Sequence, residues 1–225
     1  MEDYCPLLID LRGRKCLVVG GGRVALRKVR TLLKARARVL LVSPSLHEEL
    51  EALAATGKIA CRREVYYPAH LQGVFLAVGC SDVAAVNRRL AAHCRSRGLL
   101  VNIADNPALC NFFFPSVVSR GPLSIAVSTE GKSPALARRL RLALEKEFSA
   151  AYADFVRFLG RLRPQILTEV ADAKQREALL HELAGEPFFA EFLHLSPEDR
   201  EKKAQEVINA YWQPNTGKIN RKKIK

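Results

Sequence analysis

Short apolar runs alternate with longer amphipathic segments through the first half of the chain. Five segments predict strands, at 15–19, 38–43, 58–62, 74–78 and 99–103. Three segments with apolar residues at helical spacing predict helices between them, at 23–35, 46–55 and 83–97. Apolar strands separated by helices indicate a parallel sheet that is covered on both faces. The pattern predicts an α/β fold with a Rossmann-like, doubly wound parallel sheet.

The pattern changes after Pro107. Two alternating runs, at 116–120 and 123–128, are separated by Gly121-Pro122 and predict a hairpin or a meander. Helices are predicted beyond it, at 135–162, 165–183 and 197–211, with Pro164 breaking the first of them. The last of them opens with Ser196-Pro197-Glu198-Asp199, which is similar to a capping box. A small α+β segment and a helical C-terminal domain are therefore expected to follow the sheet.

The net charge of +13 is concentrated in two places. Residues 1–115 hold 17 basic and 9 acidic residues, and residues 218–225 hold five basic residues and no acid. Nucleic acid, an anionic membrane surface or an acidic small ligand could each explain such an excess. The last eight residues lack aromatic side chains, so a solvated basic tail is the simplest interpretation of them.

Several classes of protein are disfavoured by the sequence. No run of eighteen apolar residues predicts a transmembrane helix, and the acidic N-terminus lacks a signal pattern, so a cytoplasmic protein is expected. The six cysteines contain no C-x-x-C pair and the five histidines show no ligand spacing, so no metal site is predicted. Reduced thiols are expected.

A glycine-rich loop follows the first predicted strand. Gly20-Gly21-Gly22-Arg23-Val24-Ala25 fits G-x-G-x-x-A between a strand and a helix, the context of a dinucleotide-binding loop. The first glycine permits the turn, the second lets backbone N–H groups approach a diphosphate, and the helix N-terminus favours its charge. The interpretation without a ligand is a plain glycine turn.

The ends of the other strands carry further candidates. The second strand ends at Ser43-Pro44-Ser45 instead of the acid that usually selects NAD, so the choice between NAD and NADP stays open here. Ser81 and Asp82 follow the fourth strand, and Asp82 is either a site residue or a helix N-cap. Asn102-Ile103-Ala104-Asp105 closes the fifth strand, where Asp105 is either a general base or a turn residue.

These motifs together resemble the precorrin-2 dehydrogenase and sirohydrochlorin ferrochelatase family, the N-terminal module of siroheme synthases. The similarity covers about residues 1–150, and the motifs that carry it are Pro6–Arg14, the glycine loop with its helix, Val86–Arg89, Val101–Pro107, Phe114–Ser116 and Gly131–Leu140. The resemblance implies an NAD-dependent oxidation of precorrin-2 to sirohydrochlorin on the route to siroheme. It also implies a homodimer.

The resemblance assigns roles to particular residues and divides the chain. Asp105 is the expected catalytic residue. The residues expected to bind NAD are Gly20, Gly22, Arg23, Val24, Ser43, Pro44, Ser45, Ser81 and Asp82. Those expected to bind substrate are Asn102, Ser128, Thr129 and Lys132. The expected division is an NAD-binding domain at 1–113, a dimerisation segment at 114–150, a helical domain at 151–217 and a disordered tail at 218–225.

Alternatives remain at this point. A bifunctional enzyme would also insert Fe(II) into sirohydrochlorin, and Asp105 could accept the pyrrole protons. Another NAD(P)-dependent oxidoreductase is a second alternative, and a non-catalytic nucleotide sensor or nucleic-acid binder is a third. An acidic tetrapyrrole and the diphosphate of NAD would together explain the excess of basic residues in the first half of the chain. The excess of basic residues in the tail has no such explanation.

Overall fold

A five-stranded parallel sheet occupies the first half of the protein, in a computed structural model that describes residues 4–211. Its strands are β1 (Lys15–Val19), β2 (Arg38–Val42), β3 (Ala60–Arg62), β4 (Leu76–Gly79) and β5 (Leu100–Ile103). Their order is β3-β2-β1-β4-β5, and every neighbouring pair is parallel. From β1 the chain adds β2 and β3 on one side of the sheet and then β4 and β5 on the other side. The strand order therefore reverses between β1 and β4, and sheets of this type bind ligands at that switch point.

Helices cover both faces of this sheet. They are α1 (Arg23–Lys34), α2 (Glu48–Ala55) and α3 (Ala84–Arg95). Alternate residues of β1 are buried on opposite faces, because side chains alternate along a strand. Cys16 and Val18 pack in the cluster that contains α1, whereas Leu17 and Val19 pack in the cluster that contains α3. The predicted doubly wound α/β fold is confirmed.

The second half, as far as Tyr211, contains a hairpin and five helices. The antiparallel hairpin pairs β6 (Ser116–Arg120) with β7 (Leu123–Val127), as the alternating runs predict. The helices are α4 (Pro134–Glu147), α5 (Ala151–Glu169), α6 (Ala173–Ala184), α7 (Glu186–His194) and α8 (Pro197–Tyr211). Aromatic and aliphatic side chains of α5 to α8 form one core, in which Phe155, Phe158 and Phe192 are buried.

The chain forms two compact units. The sheet unit contains the described residues up to Pro115 together with Ser128–Pro134, and the helical unit contains Ser116–Val127 and the described residues from Ala135 onward. The functional division at residues 113, 150 and 217 stays a prediction. The basic tail at 218–225 lies outside the described residues. No helix within residues 4–211 is long and apolar enough to cross a membrane.

The predicted single helix at 135–162 is wrong, because the chain leaves the helix after Glu147 and begins α5 at Ala151. The guanidinium of Arg120 donates hydrogen bonds to the carbonyl oxygens of Phe148 (2.7 Å) and Glu145 (2.9 Å). These carbonyls belong to the end of α4, where backbone acceptors lack helical partners. A distant strand residue therefore stabilises the helix end.

The predicted break at Pro164 is also wrong, because α5 continues through it to Glu169. Proline removes one N–H group and its ring crowds the carbonyl four residues earlier, here that of Gly160. Both residues are exposed, so water can hydrate that carbonyl on the outer side of the helix. The predicted helix at 165–183 is accordingly divided between the end of α5 and α6, and α7 was not predicted.

Candidate active site

The glycine loop lies between β1 and α1, where the sequence predicts it. Gly20 has a φ of +116°, and a Cβ atom there would lie 2.4 Å from the carbonyl oxygen of Cys80 at the end of β4. A Cβ at Gly21 would lie 1.8 Å from the carbonyl oxygen of Ser45. A Cβ at Gly22 would meet nothing within 4 Å. The loop thus brings the ends of β1, β2 and β4 together and leaves open space at its third glycine.

The open space at Gly22 fits a bound diphosphate. Gly22 is the N-cap of α1 and offers no side-chain cap, and the first turn contains no acidic residue. The first helical hydrogen bond is donated by the Leu26 N–H to the Gly22 carbonyl (3.0 Å). The N–H groups of the preceding residues, among them Arg23 and Val24, therefore lack helical acceptors and favour an anion. The residues present are those that a nicotinamide dinucleotide requires at this position.

The residues after β2 have different surroundings. Ser43 is buried, and its hydroxyl donates to the carbonyl oxygen of Ser45 (2.8 Å). That hydroxyl proton is therefore engaged within the turn. Pro44 and Ser45 are exposed, and the N–H of His47 donates to the carbonyl of Gly21 (2.7 Å). Ser45 is consequently the better placed of the two serines to meet a ribose.

The loop after β4 is held by Asn87, which the sequence analysis did not single out as a site residue. The Asn87 amide donates to the carbonyl of Ser81 (2.8 Å) and accepts from the N–H of Ser81 (3.3 Å). The interpretation of Asp82 as an N-cap is wrong, because α3 begins after Val83 and has no side-chain cap. The Val83 N–H donates instead to the Ser81 hydroxyl (3.2 Å), and Asp82 is exposed.

Asp105 lies in the turn that follows β5. It has a φ of +60°, a conformation that Asp tolerates better than most residues. Its carboxylate is exposed and takes part in no hydrogen bond or ion pair within residues 4–211. Its charge influences the thiol of Cys80, whose pKa burial raises to about 11. Asp105 therefore lies near the end of β4, where the carbonyl of Cys80 contacts the glycine loop.

Asn102 and Cys110 shape this turn from inside. Asn102 is buried, and its amide donates to the carbonyl of Phe112 (3.0 Å) and towards the sulfur of Cys110 (3.5 Å). The Cys110 sulfur also accepts from the N–H of Ile103 (3.2 Å). These contacts place Asn102 behind the turn, where it positions the segment that carries Asp105.

The predicted substrate loop, 128–134, belongs to the same unit as Asp105. The Ser128 hydroxyl accepts from the Glu130 N–H (3.1 Å), and the Thr129 hydroxyl accepts from the Ser133 N–H (3.0 Å). Lys132 lies 3.7 Å from the carboxylate of Glu130. A Cβ at Gly131 would lie 3.3 Å from the ring of Pro107, so this loop packs beside the segment after Asp105.

Lys28 is a further charged residue at this edge of the sheet. Its Nζ lies over the ring of Phe114, 4.1 Å from the ring centroid. Desolvation lowers the pKa of its ammonium group, while Cys80, Cys110 and Asp105 are near enough to oppose that shift. Within the described part of the chain, no group of three or more His, Cys, Asp and Glu residues could hold a metal ion.

Sheet topology and loop geometry together define a Rossmann-like, NAD(P)-binding protein. A family model described as NAD(P)-binding matches residues 7–116, and a model described as sirohaem biosynthesis protein central matches residues 120–147. The siroheme synthase of Nitrosomonas europaea is 38% identical over 187 residues, which are 83% of this chain and 39% of that protein. The siroheme synthase of Saccharophagus degradans is 41% identical over 161 residues, which are 72% of this chain and 35% of that protein.

A solved structure agrees with these relatives. SirC, a precorrin-2 dehydrogenase, superposes with a TM-score of 0.74 at 28% identity, and the match covers 92% of this chain and 100% of that chain. The chain spans about two-fifths of the length of the siroheme synthases that it matches. It belongs to the family that contains these siroheme synthases and the precorrin-2 dehydrogenase SirC.

Proposed function

We propose that this protein catalyses the NAD-dependent dehydrogenation of precorrin-2 to sirohydrochlorin in siroheme biosynthesis. The observation that carries the proposal is the placement of Asp105 beside the glycine loop. Besides burial, the charge of Asp105 raises the pKa of the Cys80 thiol. The carbonyl oxygen of Cys80 in turn lies 2.4 Å from where a Cβ atom of Gly20 would be. A dinucleotide cradle and an unpaired carboxylate at one edge of a sheet fit an oxidation that releases a hydride and a proton.

The residues of this site have separate tasks in that reaction. When bound, NAD supplies the nicotinamide ring that accepts the hydride. The backbone N–H groups of Gly22–Val24 orient the diphosphate, and Ser45, Ser81 and Asp82 line the strand ends on which the rest of the dinucleotide would lie. The carboxylate of Asp105 accepts the proton that accompanies the hydride. Asn102 keeps Asp105 in place, and the loop of Ser128, Thr129 and Lys132 contacts the substrate.

NAD rather than NADP is proposed as the cofactor on the basis of the family resemblance. No acidic residue stands at the end of β2, so the preference has to be measured with both nucleotides. Initial rates at equal concentrations of NAD and NADP give the ratio of the two kcat/KM values. A ratio above one supports NAD, and a ratio below one assigns NADP to this protein.

A homodimer formed through residues 114–150 is proposed as the working assembly. In α4, Ala137 is the only buried residue of the fourteen. Leu140 and Leu142 on that helix are 39% and 43% exposed, and Val117 on β6 is 43% exposed. Apolar side chains exposed together on one segment are typical of an interaction surface.

The six free thiols are further consistent with a cytoplasmic location.

Asp105→Asn tests the proposed chemistry. Asparagine has nearly the same shape and also tolerates a positive φ. Its neutral amide, unlike a carboxylate, does not accept a proton near neutral pH. We expect kcat for precorrin-2 oxidation to fall about 10²- to 10⁴-fold while the Kd for NADH is unchanged. Absorbance at about 340 nm follows the turnover, and the fluorescence of NADH follows its binding.

Glu48→Gln is the matched control, because it removes an exposed carboxylate from α2 of the same unit. Its kcat should equal that of the unaltered protein. Full turnover in Asp105→Asn would contradict the catalytic role of Asp105. Incubation with Fe(II) and sirohydrochlorin, followed through the absorbance spectrum of the tetrapyrrole, tests the ferrochelatase alternative, for which Asp105 would accept the pyrrole protons.

A further inference from the structure

The ammonium group of Lys28 forms no ion pair within the described residues 4–211. Its side chain is half-buried on α1, and no carboxylate of residues 4–211 lies within 4.0 Å of its Nζ. Its Nζ instead lies over the ring of Phe114, 4.1 Å from the ring centroid. An ammonium group that loses water without gaining an ion pair or a hydrogen bond is costly, and desolvation accordingly lowers its pKa.

The position of Lys28 places this cation at the edge of the sheet where the site lies. It follows Val24 by four residues, so both lie on one face of α1, and Val24 belongs to the turn that binds the diphosphate. The groups that influence its ammonium include Cys80, Cys110 and Asp105, which follow β4 and β5. Lys28 is therefore one helical turn beyond the cofactor loop and beside the proposed proton acceptor.

An oxyanion of a bound ligand would supply the ammonium group of Lys28 with a counter-ion. An ammonium over an aromatic ring directs only part of its N–H groups at the ring, so the others remain available to a carboxylate. The diphosphate of the dinucleotide has its own donors at the end of α1, one turn away. The acetate and propionate side chains of a tetrapyrrole are the remaining source of oxyanions at this site.

We infer that Lys28 binds a carboxylate of the tetrapyrrole substrate and thereby orients its ring system against Asp105. The inference rests on the proposed function and adds a specificity-determining residue to it. The Phe114 ring fixes the ammonium, and the substrate carboxylate replaces the water that the ammonium has lost. A substrate without an acidic side chain at this position would lack that ion pair.

Lys28→Met tests the inference, because methionine keeps most of the apolar stem over Phe114 and removes the charge. We expect the KM for precorrin-2 and the Kd for sirohydrochlorin to rise about ten- to a hundred-fold. The Kd for NADH should remain within about twofold, since the diphosphate has separate donors. Lys28→Arg should recover most of the affinity because it restores a cation at the same place. Sirohydrochlorin binding is followed by its absorbance spectrum, which requires no turnover.

Lys34→Met is the matched control, since it removes the same charge from an exposed position of the same helix. Its affinities should equal those of the unaltered protein. Unchanged sirohydrochlorin affinity in Lys28→Met, an equal loss in Lys34→Met, or a loss confined to NADH binding would each overturn the inference. Failure of the unaltered protein to bind either tetrapyrrole would refute the proposed function as well, whereas normal turnover with an unaffected Lys28→Met variant would refute only the role of Lys28.

Discussion

The three consecutive glycines after β1 are surrounded very differently. A backbone carbonyl fills the space that a side chain would need at Gly20 and at Gly21, from Cys80 and Ser45 respectively. Any side chain at these two positions would move the ends of β4 or β2. Gly22 faces open space and has an extended φ of −88° that any residue adopts. The folded chain therefore requires the first two glycines, whereas the third has only its N-cap preference within the protein, and a bound ligand gives it a further reason.

Gly22→Ala should separate cofactor binding from folding. We expect its free energy of unfolding to change by about 1 kcal/mol or less, because the added methyl group meets no atom of the protein and costs only some helix N-cap preference. NADH affinity should fall about tenfold or more, because the methyl group occupies the space that the diphosphate needs. Urea denaturation and NADH fluorescence measure the two quantities.

Gly21→Ala is the contrasting variant for that experiment. Its Cβ would meet the Ser45 carbonyl, so this variant should lose stability as well as affinity. Undiminished NADH binding in Gly22→Ala would show that no diphosphate lies at this loop.

The positions of the candidate site residues were predictable from the sequence where each of them directly follows a predicted strand. The glycine loop and Asp105 follow strands, and parallel strands end at one edge of a sheet. The hydrogen bonds that direct Ser43 and Asn102 inward join them to residues two or more positions away, which no spacing rule indicates. Lys28 has the spacing of an ordinary helix residue, and only the packing of Phe114 against it gives it significance.

At the scale of elements, the end of α4 depends on a residue far away in the sequence. Arg120 on β6 supplies two hydrogen bonds to carbonyls at the end of that helix. Its side chain is charged and partly buried, which makes such hydrogen bonds stronger than neutral ones. This single side chain joins the hairpin to the helix that follows it.

Arg120→Met should destabilise the helical unit. The carbonyls of Glu145 and Phe148 would lose a charged donor, so we expect the free energy of unfolding to fall by about 1.5–3 kcal/mol. Arg139→Met, which removes an exposed charge from α4 itself, should change it by less than about 0.5 kcal/mol. Urea denaturation followed by circular dichroism measures both. Equal stability of the two variants would show that the Arg120 contacts contribute nothing.

Element prediction succeeded where the pattern is local. The sequence places β1 at 15–19 and α8 at 197–211, and the structure has the same bounds. The hydroxyl of Ser196 accepts from the N–H of Asp199 (3.1 Å), in agreement with the predicted helix start. The break between α4 and α5 was missed because the Arg120 side chain that binds the end of α4 comes from another element. The continuation of α5 through Pro164 was missed because the sequence does not show that Gly160 and Pro164 lie on the exposed side of the helix.

At the scale of the whole molecule, α4 exposes leucines that a second copy of the chain would cover. Leu140→Glu places a charge on this surface, so it should convert the proposed dimer into a monomer, because a carboxylate buried between apolar side chains is costly. Sedimentation velocity measures the change. Leu193→Glu on α7, at a similarly exposed leucine, should leave the mass unchanged. A monomeric unaltered protein would contradict the proposed assembly.

The distribution of cysteines gives the molecule a built-in reporter of local opening. All six lie between residues 5 and 110, within the sheet unit, and none lies in the helical unit. Burial raises the pKa of Cys16, Cys80 and Cys94 to about 11, so alkylating reagents reach these thiols only when that unit opens. Once the exposed Cys5 and the half-buried Cys61 have reacted, the slower alkylation rates of the buried thiols measure local opening of the sheet unit alone. A dinucleotide bound at the glycine loop should lower these alkylation rates.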